Sequence, residues 1–232
     1  MKSAAFALPA LLALAACSAE PAPEAQPTPD ASPTVSGLRS LIATGFEDLV
    51  QGSKIEGTQG PEVSSTLMFE GRTIAEVVSY VACPAPEEDV DLNVEPADKC
   101  DPELQADGAL YTYVHRITPA EGADGPVLSF RTARRANGFA NLIGFNRIQA
   151  AAALGEDHNI GVSIDNGALV WRIEAGDGWD AGEEITLFWQ GTLPPEGPAE
   201  VYEVETAEGR VVAEGPFPPA DVPEASDSKA EE

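Results

Sequence analysis

The chain has 232 residues, with 39 Asp and Glu against 13 Lys and Arg, two His and three Cys, and a formal net charge of −26 at pH 7. A surface so acidic repels nucleic acid and anionic headgroups and favours cations or basic partners, although excess acid also serves simply to keep an exported protein soluble. His115 and His158 stand in no metal-ligand spacing, no Ser sits in Gly-x-Ser-x-Gly, and no glycine-rich loop precedes a Lys, so the usual zinc, hydrolase and nucleotide signatures are absent.

At the start of the chain, Lys2 supplies positive charge and Ala4 to Ala13 form an apolar run broken by Pro9. That run is far shorter than the ~20 residues of a membrane-spanning helix, so it reads as a targeting segment. Leu14-Ala15-Ala16-Cys17 follows and resembles the lipobox of bacterial lipoproteins. The resemblance covers the first twenty or so residues and implies a signal peptide over 1–16, cleavage before Cys17 and acylation of its thiol. By the same analogy, Ser18 in place of Asp favours the outer membrane over retention at the inner one. A membrane is therefore the expected partner, reached through lipid.

Residues 17–36 carry the lipidated Cys and a stretch with Pro21, Pro23, Pro27, Pro29 and Pro33 among small and acidic residues. This composition buries no core and favours extended polyproline II, a tether of up to about 60 Å at ~3.1 Å per residue. Residues 37–217 are expected to form a single β-rich domain, and 218–232 a disordered acidic tail.

Within the domain, Leu38 to Leu49 has helical spacing at Leu38, Leu41, Ile42 and Leu49, weakened by Gly45, and is expected as a short helix. Strands are expected at Ser65 to Phe69, Ile74 to Cys83, Leu110 to Ile117 and Val127 to Arg131. With Cys17 acylated, Cys83 and Cys100 are the remaining thiols of an oxidising compartment and are expected to pair. Their disulfide would fasten a polar excursion containing Glu87, Glu88, Asp89 and Asp91. Tyr111, Tyr113 and His115 alternate onto one strand face, where a face-lining role for the His outweighs catalysis.

Asn146, Gln149, Ala150 to Ala153 and Gly155 spell a second short helix with its cap and stop. Asn166-Gly167 between Ile160 to Asp165 and Ala168 to Ile173 predicts a hairpin with a type I′ turn. Its register opposes Ile164 to Leu169, Val162 to Trp171 and Ile160 to Ile173, and so defines a core face. Glu184 to Gln190 reads as a buried strand, and Val201 to Thr206 and Arg210 to Ala213 as a second hairpin around Ala207-Glu208-Gly209. The expected fold class is mainly β: an antiparallel β-sandwich or barrel-like domain with one or two short helices.

Two clusters invite binding. Asp177, Asp180, Glu183 and Glu184 offer hard oxygen ligands for calcium on a flexible turn, against the alternative of a solvated loop; the acidic disulfide excursion is a second such place. Arg131, Arg134, Arg135 and Arg147 gather positive charge that could clamp an anion if Asn137-Gly138 turns them together, against pairing with the surplus acids. These readings converge on a non-enzymatic envelope lipoprotein that binds another envelope component or protein. The alternatives are a calcium-stabilised structural module, or an anchored hydrolase with an unrecognised carboxylate site.

Overall fold

The computed structural model describes residues 38–85, 100–121 and 126–220. The signal segment, Cys17, the tether, the residues after Ala220, and Glu87, Glu88, Asp89 and Asp91 lie outside the described residues.

The strands are β1 (Arg39–Leu41), β2 (Thr44–Gly45), β3 (Gln51–Lys54), β4 (Val63–Phe69), β5 (Arg72–Pro84), β6 (Tyr111–Pro119), β7 (Val127–Thr132), β8 (Phe139–Phe145), β9 (Asn159–Asp165), β10 (Ala168–Ala175), β11 (Ile185–Gly191), β12 (Gly197–Thr206) and β13 (Arg210–Phe217), with one helix, α1 (Arg147–Leu154). They form two sheets that pack as a sandwich. The first has the order β1-β9-β10-β7-β12-β13, and the second β2-β8-β11-β6-β5-β3, with β4 also paired to β5. All neighbours run antiparallel except β2 and β8. Among the described residues, no helix is long and apolar enough to cross a membrane.

The β9–β10 hairpin has the register that its turn dictates: Leu169 opposes Ile164, Trp171 opposes Val162 and Ile173 opposes Ile160. Asn166 and Gly167 take φ of 51° and 88°, the two positive angles that a type I′ turn demands. Leu169, Trp171, Val162 and Ile160 are buried on the inner face. Across the sandwich Trp171 Nε1 donates to the Gly144 carbonyl of β8, and beside β8 lies β11, every residue of which is buried. Its sequence alternates Ile185, Leu187 and Trp189 with Thr186 and Phe188, and both faces are covered.

The two sheets approach closure at both sides. The chain leaves β1 in the first sheet and enters β2 in the second after only Ile42 and Ala43. On the opposite side β13 runs beside β4, where the Ser65 hydroxyl donates to the Glu214 carbonyl at 3.2 Å and accepts from its N–H at 3.1 Å. One side chain thus satisfies both backbone groups of an otherwise open strand edge. Gly215 permits the approach: a Cβ there would stand 2.8 Å from the Tyr202 ring and 2.9 Å from Ser79 Cβ.

Leu38 to Leu49 is not helical. It contributes β1, β2 and a 3-10 turn at Phe46–Asp48. A helix would gather Leu38, Leu41 and Ile42 onto one buried stripe, whereas Leu38 is 70 % and Ile42 92 % exposed and Leu41 alone packs against the core. Backbone pairing of β1 with β9 and of β2 with β8 outweighs the local periodicity. The second expected helix is present as α1, with the Asn146 side chain accepting from the Gln149 N–H at 3.0 Å. Gln149 does not reach back to complete a capping box. Its side chain instead accepts from the Thr186 N–H at 2.8 Å and donates to Glu184 at 3.3 Å, tying α1 to the start of β11.

Cys83 and Cys100 are paired, with Cα atoms 5.9 Å apart. Closing a loop of this length contributes about 3 kcal/mol on the chain-entropy model. The body also extends past Phe217: Pro218 is buried, and the carbonyls of Pro218 and Pro219 accept from Arg134 and Asn137.

Candidate functional site

The strand alternation that buries Ile160, Val162, Leu169 and Trp171 turns Gly161, Ser163, Asp165, Val170, Arg172 and Glu174 to the opposite, outer face of the first sheet. A cavity of about 500 Å³ opens there at the β1–β9–β10 edge, within the size range of ligand sites. Arg131 enters from β7, where it opposes Val170. Leu38 and Ser40 border the groove along β1, and Leu41, Ala43 and Phe145 line its end at the crossing from β1 to β2.

Small residues keep the groove open. Gly161 carries no side chain, and a Cβ there would meet the Glu174 carboxylate at 2.3 Å. Glu174 lies over that bare backbone and accepts from Asn159 Nδ2 at 2.7 Å. The charged groups continue across the sheet as a ladder. Arg131 stands 3.7 Å from both Asp165 and Glu203, Arg210 is 3.9 Å from Glu203 and 3.6 Å from Glu205, and Arg172 is 3.7 Å from Glu205. The Ser129 hydroxyl, donating at 2.7 Å, and then the Arg210 and Arg172 charges hold the Glu205 carboxyl below the usual range against the opposing effect of burial.

These ion pairs are long. A charge-assisted N–H···O bond closes to about 2.7–2.9 Å, as Arg72 does with Glu208 at 2.7 Å. In the ladder the carboxylates neutralise Arg131 and Arg172 at 3.7 Å; Arg131 Nε also donates to the Thr132 carbonyl at 3.5 Å, and Arg172 reaches over Ser129 of β7 to Glu205 on β12. Arg172 is half exposed.

The other sequence-derived arginines do not join Arg131. Arg134 lies over the Phe217 ring, 4.9 Å from its centroid. Arg135 packs against the turn at Gly167. Arg147, at the first position of α1, pairs with Asp48 at 3.1 Å and Glu47 at 3.7 Å. Asn137-Gly138 does not turn the four together; each meets a different neighbour.

Asp177, Asp180, Glu183 and Glu184 are likewise dispersed. The Asp177 carboxylate lies beside Gly155, the Asp180 carbonyl accepts from the Glu183 N–H, the Glu183 carbonyl accepts from Trp179 Nε1 at 2.6 Å, and Glu184 takes the bond from Gln149. Among the described residues no three His, Cys, Asp or Glu side chains gather as a cation site requires.

Neither histidine reaches the groove. His158 Nδ1 bonds the Gly155 carbonyl at 2.8 Å beyond the end of α1. His115 is fully buried, with Nδ1 2.9 Å from the Ser79 hydroxyl and its ring against Tyr202 and Phe130 at centroid distances of 4.2 and 5.0 Å. Burial lowers its pKa to about 3, so it is neutral near pH 7 and sealed from any external substrate.

Sequence reasoning missed Arg172, Asp165 and Glu174 as groove residues. The signal was nonetheless present in the hairpin register, because a face assigned to the core also defines its complement. No family model, curated protein or solved structure matches the chain.

Proposed function

We propose that the chain is a lipid-anchored extracytoplasmic binding module, held through acylated Cys17, preferentially at the outer membrane, with the groove on the first sheet as its binding face. The observation that carries the binding reading is the groove itself, a cavity of about 500 Å³ built on strands of the first sheet and bordered by Arg131 and Arg172. The lipobox-like Leu14-Ala15-Ala16-Cys17 supports the anchor, and the composition of residues 17–36 supports a spacer that lets the body work away from the lipid.

The anchor is tested by growing cells with radiolabelled palmitate. The wild-type chain incorporates label and Cys17→Ala does not. Equal labelling of the two proteins, or none in either, refutes the anchor.

A further inference from the structure

We propose that His115 is a proton-operated latch on the β4–β13 seam: the neutral imidazole holds the end of the β12–β13 hairpin against the second sheet, and its protonation releases that end locally, ahead of global unfolding. The latch is independent of the groove and of the lipid anchor.

His115 touches both groups that fasten β13. On one side its Nδ1 lies 2.9 Å from the hydroxyl of Ser79, its partner in register on β5. Ser79 in turn lies so close to Gly215 of β13 that a Cβ on the glycine would stand 2.9 Å from the Ser79 Cβ. On the other side the imidazole packs on the Tyr202 ring at 4.2 Å between centroids, and the Tyr202 hydroxyl donates to the Pro216 carbonyl at 2.8 Å. The residues so held are consecutive, and Glu214 just before them carries the two bonds from Ser65. Strand pairing does not join β13 to β4. Side chains therefore carry the seam.

A second proton on this ring has nothing to offset it. Among the described residues Nε2 has no hydrogen-bond partner. The elements packed around the ring present Ser79 from β5, Leu187 from β11, Phe130 from β7 and Tyr202 from β12. Tyr202 is the one titratable group of these, and burial raises its pKa well above the usual value, so it stays neutral. The charge that bears on Tyr202 is Arg134, itself a cation. No carboxylate acts on His115, whose preference for the neutral form comes from burial. Imidazolium formed here needs water, because a buried charge without a partner is costly. Parting Gly215 from Ser79 admits that water without breaking a backbone ladder.

The test is residue-by-residue amide hydrogen exchange of the full chain, made unacylated by Cys17→Ala, at pH 7 and pH 5 in low urea. A ring that titrates at 6.5 when hydrated and at about 3 when enclosed makes opening about 25-fold more frequent over that interval. Protection at Ser65, Glu214 and Gly215 is expected to fall by about that factor, through an opening insensitive to low urea, and to stay below the protection of Trp171 at both pH values. His115→Gln removes the pH dependence at these amides, and His115→Phe does the same if the Gln variant fails to fold. Ser65→Ala, which leaves the core intact, lowers protection at Gly215 at both pH values. Exchange of the three amides only together with Trp171, in a urea-sensitive event, overturns the latch. So does a local opening equally frequent at pH 7 and pH 5, a folded His115 variant that keeps the pH dependence, or a Ser65→Ala protein with unchanged protection at Gly215.

Discussion

Trp171→Ala lowers the unfolding free energy by about 3 to 5 kcal/mol, the range for truncating a buried aromatic. Trp171 is 1 % exposed on the inner face of β10, with Phe130 5.6 Å away between ring centroids. Its Nε1 donates to the Gly144 carbonyl at 2.9 Å, crossing from the first sheet to β8 in the second. The truncation therefore leaves a cavity and also strips a buried carbonyl of its donor. Trp171→Phe separates the two: it keeps most of the ring contact and loses the hydrogen bond, costing about 1 to 3 kcal/mol for the unsatisfied group. Urea unfolding at constant m-value measures both. An alanine variant with the wild-type midpoint would mean that the hairpin presents this side chain to solvent, with every residue of β9 and β10 on the wrong face.

His115 gives the second large effect, through pH. Its pKa is lowered by burial from 6.5 to about 3, so between these values the unfolded chain binds a proton that the folded chain refuses. The stabilisation from keeping this group neutral is complete above pH 6.5 and is lost as pH falls, by about 1.4 kcal/mol per unit, until the folded pKa is reached. Glu205, with its lowered pKa, adds a loss of its own in more acidic solution, since a carboxylate held ionised by folding stabilises only above its folded pKa. Comparison with His115→Gln cancels that contribution, because the Gln variant keeps Glu205 and a polar group near Ser79 but removes the titrating ring. The stability difference between wild type and His115→Gln should shift against the wild type by about 2 kcal/mol between pH 7 and pH 5. A constant difference across that interval would mean that His115 is hydrated or paired in the folded protein.

Where local chemistry and long-range packing agreed, the fold was legible from residues alone. Asn166-Gly167 fixed a turn, the turn fixed a register, and the register identified Trp171 as core. Asn146 through Gly155 spelled α1 because cap, propensity and stop coincided. The failures were at places where partners distant in sequence decided the outcome. Leu38 to Leu49 followed backbone pairing with β9 and β8 rather than its own helical spacing. Strand β8 was overlooked because Asn141, at φ 59°, breaks its alternation, and the pairing with β11 shifts register in the same region. The groove was half legible. Arg131 stood out by charge, but Arg134, Arg135 and Arg147, close to it in sequence, turn to other neighbours. Arg172 reaches the site through the sheet, a proximity that only strand order supplies.

The most direct test of the groove as the binding face is a map of backbone amide chemical shifts during titration of the unacylated chain with solubilised cell-envelope extract. Perturbations centred on Gly161, Ser163, Val170, Arg131 and Arg172, saturating together and fading toward α1 and the disulfide, are the predicted result. Shifts concentrated instead around Asp177 to Glu184 or Arg147, with the first sheet unchanged, would contradict it and move the site to the other end of the molecule's charge.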